Sequence, residues 1–318
     1  MSKPVYLGKG KWGKVEDQMP EDWDFAKNEW KSNKPKLIQW DEVDSYLKKG
    51  YIAEEKRDGA RMALHITNEK LPDTVMWGHH NDYDQKRKFP ELDSTITAIQ
   101  KRMKLFNIKS ITSDGELVSY SNPQYGHSDK PRSDDFWALN GRLHLENPLK
   151  IKMSENLVTY VAFDILEMNG KTKQKENLED KRELIDDLTA EPDELLNGER
   201  LKFRWGIESV MRVDDDITFD YANDSGLEGF VLKHPKKNYF STWYKVKAIL
   251  DDTFDVVGVE QKEQNVVLKL RNRDGKDVGG VVYYGKLDSD RLIGKRVLVS
   301  YMRGNTDGLR FPVLNKVL

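Results

Sequence analysis

The chain has 318 residues, 33% of them Asp, Glu, Lys or Arg, with a formal net charge of −2 and no cysteine. That length suits two domains or one large one. The missing cysteine excludes disulfides, thiolate metal sites and cysteine nucleophiles, and a near-neutral balance argues against coating nucleic acid by bulk charge while leaving local basic patches to meet phosphates. No apolar run approaches the ~18 residues of a membrane-spanning helix. The start, Met1-Ser2-Lys3-Pro4, lacks the apolar segment of a secretory signal, so an intracellular location is expected.

Residues 1–45 are rich in Trp, Lys and Pro, with helix expected over 23–31 and 41–49, too little for a separate helical domain. Lys9, Lys11, Lys14, Lys31, Lys34 and Lys36 form a basic patch there, which serves equally as a solvated face. Past Ile52, short strands alternate with helices. Strands are expected over 62–67 and 74–78. A helix follows over 90–106, where Leu92, Ile96, Ile99, Met103 and Phe106 recur at helical spacing. Residues 119–150 scatter Pro, Gly, Ser and Asp among Tyr125, His127 and Trp137, and read as a long loop of the kind that carries function. Next come a strand over 157–166, a helix over 178–188, helices over 207–212 and 218–223, and a strand over 229–233. A further strand carries Trp243-Tyr244-Lys245-Val246-Lys247.

The pattern changes near Asp251. Short strands over 254–259, 266–270, 278–284 and 296–302, and one around Val313, are separated by Gly, Asn and Asp turns. Such a series points to a small barrel, with the OB-fold as the natural candidate. The division falls between residues 248 and 249.

Several clusters carry chemistry. Glu54-Glu55-Lys56-Arg57-Asp58-Gly59-Ala60-Arg61 places Lys-x-Asp-Gly-x-Arg after a short apolar stretch. A lysine ammonium, with a pKa near 10.4 in water, becomes a nucleophile where burial and nearby cations release its proton. Gly59 offers φ > 0 for a tight turn and Asp58 a cap. Arg61 offers a fork of donors to a nucleotide sugar or phosphate. The same residues also suit a surface turn after a strand. Lys245 and Lys247, two apart in a strand, point to one side and can meet one anionic group. Ser113-Asp114-Gly115-Glu116-Leu117 presents Glu116 at a strand entry, for a ribose hydroxyl or a metal, and equally fits an Asp-Gly hairpin. Phe163, in Tyr160-Val161-Ala162-Phe163-Asp164, can stack on a purine or fill a core. Glu228, between Gly226 and Gly229, offers hard oxygens to Mg²⁺ or simply enters a strand. Lys233, Lys236, Lys237, Lys245 and Lys247 form a second basic patch.

In this order, the lysine turn, Asp-Gly-Glu, Phe-Asp, Glu-Gly-Phe-Val-Leu-Lys, Lys-Val-Lys and a small β-barrel resemble the covalent nucleotidyltransferase superfamily of DNA ligases, RNA ligases and mRNA capping enzymes. The likeness covers residues 50–318 and is greatest to small phage-type ATP-dependent DNA ligases. It implies an α+β fold: an ATP-grasp-like nucleotidyltransferase (adenylation) domain of antiparallel sheets with flanking helices over 1–248, followed by a C-terminal OB-fold β-barrel over 249–318. It implies sealing of nicks between 3′-hydroxyl and 5′-phosphate ends through lysine–AMP and DNA–adenylate. An RNA ligase, a capping-type guanylyltransferase and a non-enzymatic OB-type nucleic-acid-binding protein are the alternatives.

By the same resemblance Lys56 carries AMP, Glu54 borders the adenine and Phe163 stacks on it. Arg61 contacts the nucleotide, Glu116 binds ribose or metal, and Glu228 supports the metal. Lys245 and Lys247 bind the α-phosphate. Lys233, Lys236, Lys237 and Arg310 are candidates for DNA contact. ATP and Mg²⁺ (or Mn²⁺) are the implied cofactors and nicked double-stranded DNA the implied partner. A monomer without membrane contact is expected in the cytoplasm, a host's cytoplasm for a phage-encoded chain. A linker near Asp251 is the expected hinge.

The chain departs from the pattern in three places. The family's Ser-Arg after the lysine turn is replaced by Gly78-His79-His80, leaving His79, Lys86, Arg87 or Lys88 to substitute. The family's final Arg-x-Asp-Lys has no match, with Arg310 and Lys316 the nearest cations. The segment before Lys56 is short for a helical DNA-binding domain, so the basic N-terminus and the 119–150 stretch are expected to share the grip on DNA.

Overall fold

Three β-sheets and their flanking helices make up the computed structural model, which describes residues 32–69, 74–78, 84–120, 134–189, 207–263, 265–285, 289–302 and 308–318. The first part of the chain runs β1 (Lys36–Leu37), α1 (Val43–Lys48), β2 (Ile52–Glu55), β3 (Ala60–Thr67), β4 (Val75–Gly78), α2 (Asp93–Leu105), β5 (Ser110–Val118), α3 (Phe136–Leu143), α4 (Pro148–Lys152), β6 (Thr159–Met168), β7 (Lys171–Thr172) and α5 (Leu178–Thr189). Then come β8 (Ile207–Ser209), β9 (Arg212–Val213), α6 (Phe219–Asp224), β10 (Gly229–Lys233), β11 (Tyr244–Lys247), β12 (Ile249–Gln261), β13 (Val266–Arg271), β14 (Asp277–Tyr283), β15 (Arg296–Met302) and β16 (Arg310–Val317).

Sheet one has the order β4-β3-β5-β6-β7, with β8 parallel to β6. Strand alternation explains its two faces. Met62, Leu64 and Ile66 of β3 point one way, into a core with Ile96, Ile99 and Met103 of α2 and Ile185 and Leu188 of α5. Ala63 points the other way, to Val75, Trp77, Leu166, Tyr239 and Trp243. Sheet two, β1-β11-β10-β2-β9, packs α6 residue Ala222 and α1 residue Val43 against Phe230, Leu232 and Val246. A cavity lies between sheets one and two.

Sheet three, β14-β13-β12-β15-β16, is antiparallel throughout and buries Phe254, Leu268, Leu270, Val281, Val297 and Val299. Leu309 N–H donates to Val278 O at 3.0 Å, which brings the two outer strands together and curls the sheet on itself. No described helix is long and apolar enough to cross a membrane.

Three expectations are corrected. Residues 207–213 form β8 and β9, not a helix, because Ile207 to Ser209 pair with β6 and Arg212 and Val213 with β2. The expected loop over 119–150 contains α3 and α4, started by Asp135 Oδ1 accepting from Ala138 N (2.9 Å) and by Asn147 Oδ1 accepting from Leu149 N (2.9 Å) with Pro148 next. Asp251 is no linker. It sits inside β12 in register with Ser300, and only Ala248 separates β11 from β12. The expected helix over 23–31, His79, Tyr125 and His127 lie outside the described residues.

Candidate active site

The cavity between the two sheets measures about 860 Å³, within the range that takes a nucleotide-sized ligand. Lys56 enters it directly after β2. Its N–H donates to Gly229 O at 2.9 Å, so the turn starts while still tied to β10. Lys56 Nζ donates to Glu228 Oε2 at 2.5 Å, and Lys247 Nζ reaches Glu228 Oε1 at 2.8 Å. One carboxylate thus joins the lysine turn to the lysine pair. Val246, between the two lysines, points into the core, so Lys245 and Lys247 share the opposite face as strand alternation requires. Lys245 also lines the cavity. Burial, then Lys247 and Lys56, lower its pKa.

Two glycines have separate reasons. Gly229 holds φ +139, and a Cβ there would lie 2.0 Å from Val246 O. Only glycine lets β10 approach β11 closely enough for the Glu228–Lys247 contact. Gly59 was expected at positive φ and is not there. Its constraint is space: a Cβ would meet Leu117 O at 2.1 Å, where β3 starts beside β5.

Arg57, which also lines the cavity, and Asp58 enter a buried polar cluster. Arg57 donates to Glu55 Oε2 (2.6 Å), Asp134 Oδ1 (2.8 Å) and the Tyr120 hydroxyl (2.8 Å). Asp58 N–H donates to Asp134 Oδ2 at 2.7 Å. Burial opposes the Arg57 charge, but Asp134, Tyr120 and Glu55 outweigh it and hold the guanidinium charged. Burial pushes Asp134 up to about 7, with Arg57 opposing and Glu55 and Glu208 adding. The Asp58 side chain pairs with Arg310 of β16. Arg310 also lies over the rings of Phe136 and Phe311, which meet edge to face at 5.5 Å.

At the deep end, Arg61 grips Asp114 twice (Nε–Oδ1 3.0 Å, Nη2–Oδ2 2.5 Å), and the Tyr239 hydroxyl donates to Asp114 Oδ2 at 2.5 Å. Arg61 lies 5.3 Å from the Phe163 ring centre. Phe163 lines the cavity and meets Trp243 edge to face at 6.1 Å. Glu54 is buried, yet lines the cavity between Lys233 Nζ (2.6 Å) and Arg182 Nη1 (2.7 Å). Glu116 also lines the cavity, and its carboxyl accepts no hydrogen bond among the described residues. Burial pushes its pKa up to about 8, against Lys56 and Arg61 and with Glu228 and Asp114.

The structure therefore brings Lys56, Glu54, Arg61, Glu116, Phe163 and Lys245 around one cavity, with Glu228 and Lys247 joined to it through Lys56. Of the remaining assignments it corrects two, Lys233 and Arg310. Lys233 is no surface contact for a duplex. It is 2% exposed, bound to Glu54, and its ammonium lies 4.1 Å from the Trp243 ring and 4.6 Å from Phe163. Arg310 is occupied by Asp58. Lys236 and Lys237 are exposed and lie away from the cavity lining. His79 lies outside the described residues. Sequence reasoning missed Arg57, Asp134, Arg182 and Asp114. Only Asp114 carried a local signal, being two residues before Glu116 and so on its side of the strand.

A family model described as ATP dependent DNA ligase domain matches residues 38–247. The chain belongs to this family. The match includes the lysine turn, Glu116, Phe163, Glu228 and both strand lysines. DNA ligase 1 of Methanosarcina mazei is 26% identical over 237 residues, 70% of this chain and 38% of the relative. The DNA ligase of Thermoplasma volcanium is also 26% identical over 237 residues, 70% of this chain and 36% of its own length. The chain thus spans under four tenths of the length of these curated relatives. Among solved structures, a Lig E DNA ligase superposes with a TM-score of 0.55 at 16% identity, covering 90% of this chain and 98% of that one. Pmar-Lig_Pre gives 0.55 at 19% identity, covering 89% and 67%. The fold is accordingly a nucleotidyltransferase domain of antiparallel sheets with flanking helices, followed by an OB-fold barrel.

Proposed function

We propose that the chain seals nicks in double-stranded DNA at the expense of ATP, with Lys56 as the nucleophile. The observation that carries this reading is the bridge Lys56–Glu228–Lys247, whose Lys56 lines a nucleotide-sized cavity. Lys56 Nζ attacks the α-phosphorus of ATP. A P–N bond forms, the P–O bond to the β-phosphate breaks, and pyrophosphate leaves with the electron pair. Glu228, in contact with the amine, is placed to take its proton. Lys245 and Lys247 offset the negative charge that builds on the α-phosphate. Phe163 and Glu54 border the adenine, and Arg61, fixed by Asp114, reaches the sugar. AMP then passes to the 5′-phosphate of the nick, and the 3′-hydroxyl displaces it.

Glu116 and Glu228 are the residues that would hold a divalent cation. Both offer hard oxygens, and the Glu116 carboxyl meets no donor among the described residues, a donor set that fits Mg²⁺ or Mn²⁺. When bound, the metal neutralises phosphate oxygens and polarises the phosphorus. We place the domain division between residues 248 and 249. A monomer suffices, since one chain supplies every group named.

Incubation with α-labelled ATP and Mg²⁺, followed by denaturation at neutral to alkaline pH, where a P–N bond survives, tests the nucleophile. Wild type should retain label as a lysine–AMP adduct, and Lys56→Ala should retain none. Label on that variant refutes Lys56. Nicked DNA and nicked RNA duplexes offered side to side test the substrate, and preferential sealing of RNA would overturn the DNA reading.

A further inference from the structure

The cations around the cavity divide into two classes. Lys56 and Lys247 share the Glu228 carboxylate, Arg61 pairs with Asp114, and Lys233 with Glu54. Lys34 and Lys88 also line the cavity, and neither makes an ion pair among the described residues, although the Glu146 carboxylate, in the same lining, acts on Lys88 from farther off. Lys88 Nζ donates to the Leu143 carbonyl at 3.2 Å, and burial lowers its pKa, with Glu146 opposing and Arg142 adding.

Lys34 is exposed, but the segment that carries it is fixed. Asn33 Nδ2 donates to Tyr239 O (2.5 Å) and Ser241 O (2.8 Å), and Asn33 N–H donates to the Tyr239 hydroxyl (3.1 Å). Arg61 donates to Asn33 O. Lys36 N–H donates to Trp243 O (2.9 Å), and β1 then runs parallel to β11, the strand of the lysine pair. The segment is thus tied on both sides of Lys34, to the same strand and the same arginine that shape the site. Among the three cations at 86–88, Lys86 is buried on Asp93 and Arg87 lies outside the cavity lining, whereas Lys88 is in it.

We propose that Lys34 and Lys88 are phosphate ligands of this site. Two cations without an ion pair, in the same lining as Lys56 and Lys245, leave cations in excess of the carboxylates Glu54, Glu55, Glu116 and Glu146 around the cavity, and a phosphate group supplies the missing negative charge. The inference rests on the nucleotidyl-transfer reading above. The phosphate is either the β,γ-phosphate end of ATP, which leaves as pyrophosphate, or the 5′-phosphate of the nick. Neither lysine forms a covalent bond in either case.

Two assays on Lys34→Ala, Lys88→Ala and Lys34→Arg separate the sources. The first measures adduct formation against ATP concentration. The second measures single-turnover sealing of a pre-adenylylated nick without ATP, together with AMP transfer from pre-charged enzyme to a nick bearing a 5′-phosphate. A ligand of the triphosphate raises the KM for ATP by about 10-fold or more on loss of its charge, with the maximal rate nearly unchanged, sealing of the pre-adenylylated nick unaffected and Lys34→Arg largely restored. A ligand of the nick leaves the KM for ATP alone and slows AMP transfer by about 10-fold or more. Both steps staying within about twofold of wild type in both alanine variants overturns the proposal. Wild-type adduct in those variants leaves the Lys56 reading standing, whereas label on Lys56→Ala removes the reading beneath both.

Discussion

Replacing Lys233 with methionine separates a buried structural cation from a surface contact for DNA. The ammonium is 2.6 Å from Glu54 Oε2, near the Trp243 and Phe163 rings, and 3.4 Å from the Phe163 carbonyl. Burial lowers its pKa, while Glu54 and Asp164 oppose the shift, so its charge depends on those carboxylates. Breaking a buried pair by removing one partner costs about 3–5 kcal/mol. Arg182 still holds the other Glu54 oxygen at 2.7 Å, which keeps the loss at the low end. The two ring contacts add about 1 kcal/mol, and methionine, similar in length and soft against aromatics, returns about that much. The expected net loss is about 3 kcal/mol. Urea denaturation with an unchanged slope measures it. Glu54→Gln with Lys233→Met removes both ends of the pair, so the double variant should lose about 2 kcal/mol less than the two single losses added. A Lys233→Met protein within about 0.5 kcal/mol of wild type, with weakened DNA binding, would refute the buried assignment.

Glu116 has a pKa near 8 against an ordinary 4.5, because burial disfavours its charge. Stability from its protonated form is present below 4.5 and is lost as the pH rises through 8, so Glu116→Gln should flatten the fall of melting temperature over that window. Calorimetry at pH 7 in buffers of differing ionisation enthalpy should also find about one proton released on Mg²⁺ binding in wild type and fewer in the variant. Gly229→Ala forces a Cβ against Val246 O at 2.0 Å and an unfavourable φ of +139, and should lower stability by about 3 kcal/mol or more while cutting adduct formation by over ~10-fold. Arg310→Ala leaves the buried Asp58 carboxylate without its partner and should cost about 3 kcal/mol, most of it recovered when Asp58→Asn is added. Equal stability of the single and double variants would show that the pair carries no energy.

Strand chemistry was legible where it is local. The strands over 229–233 and 296–302 have the bounds that alternation and glycine punctuation suggest, and the lysine pair points to one side because a strand leaves it no choice. Helices α3 and α4 were missed although their start signals are local. Asp135 before Phe136, and Asn147 before Pro148, are cap residues in a stretch judged on its Gly, Ser and Pro content instead. Residues 207–213 were misread for a different reason. Three- and two-residue strands have no period of their own and exist only through their partners β6 and β2.

The charges at the site follow the same division. Residue types at Lys56, Glu116 and Glu228 announce chemistry, but what each charge faces is set between distant segments. Lys56 and Glu228 are 172 residues apart, Glu54 and Arg182 128, and Arg57 and Asp134 77. A basic patch in a sequence is therefore ambiguous until the fold assigns its partners. Lys233 and Lys245 stood in one patch, yet folding gives Lys233 a carboxylate and leaves Lys245 without an ion pair among the described residues. A lysine buried on its carboxylate, as Lys233 is, holds structure, and one left unmatched beside a cavity waits for an anion. By that test Lys34, read from sequence as equally a solvated face, belongs with Lys245 and not with Lys233.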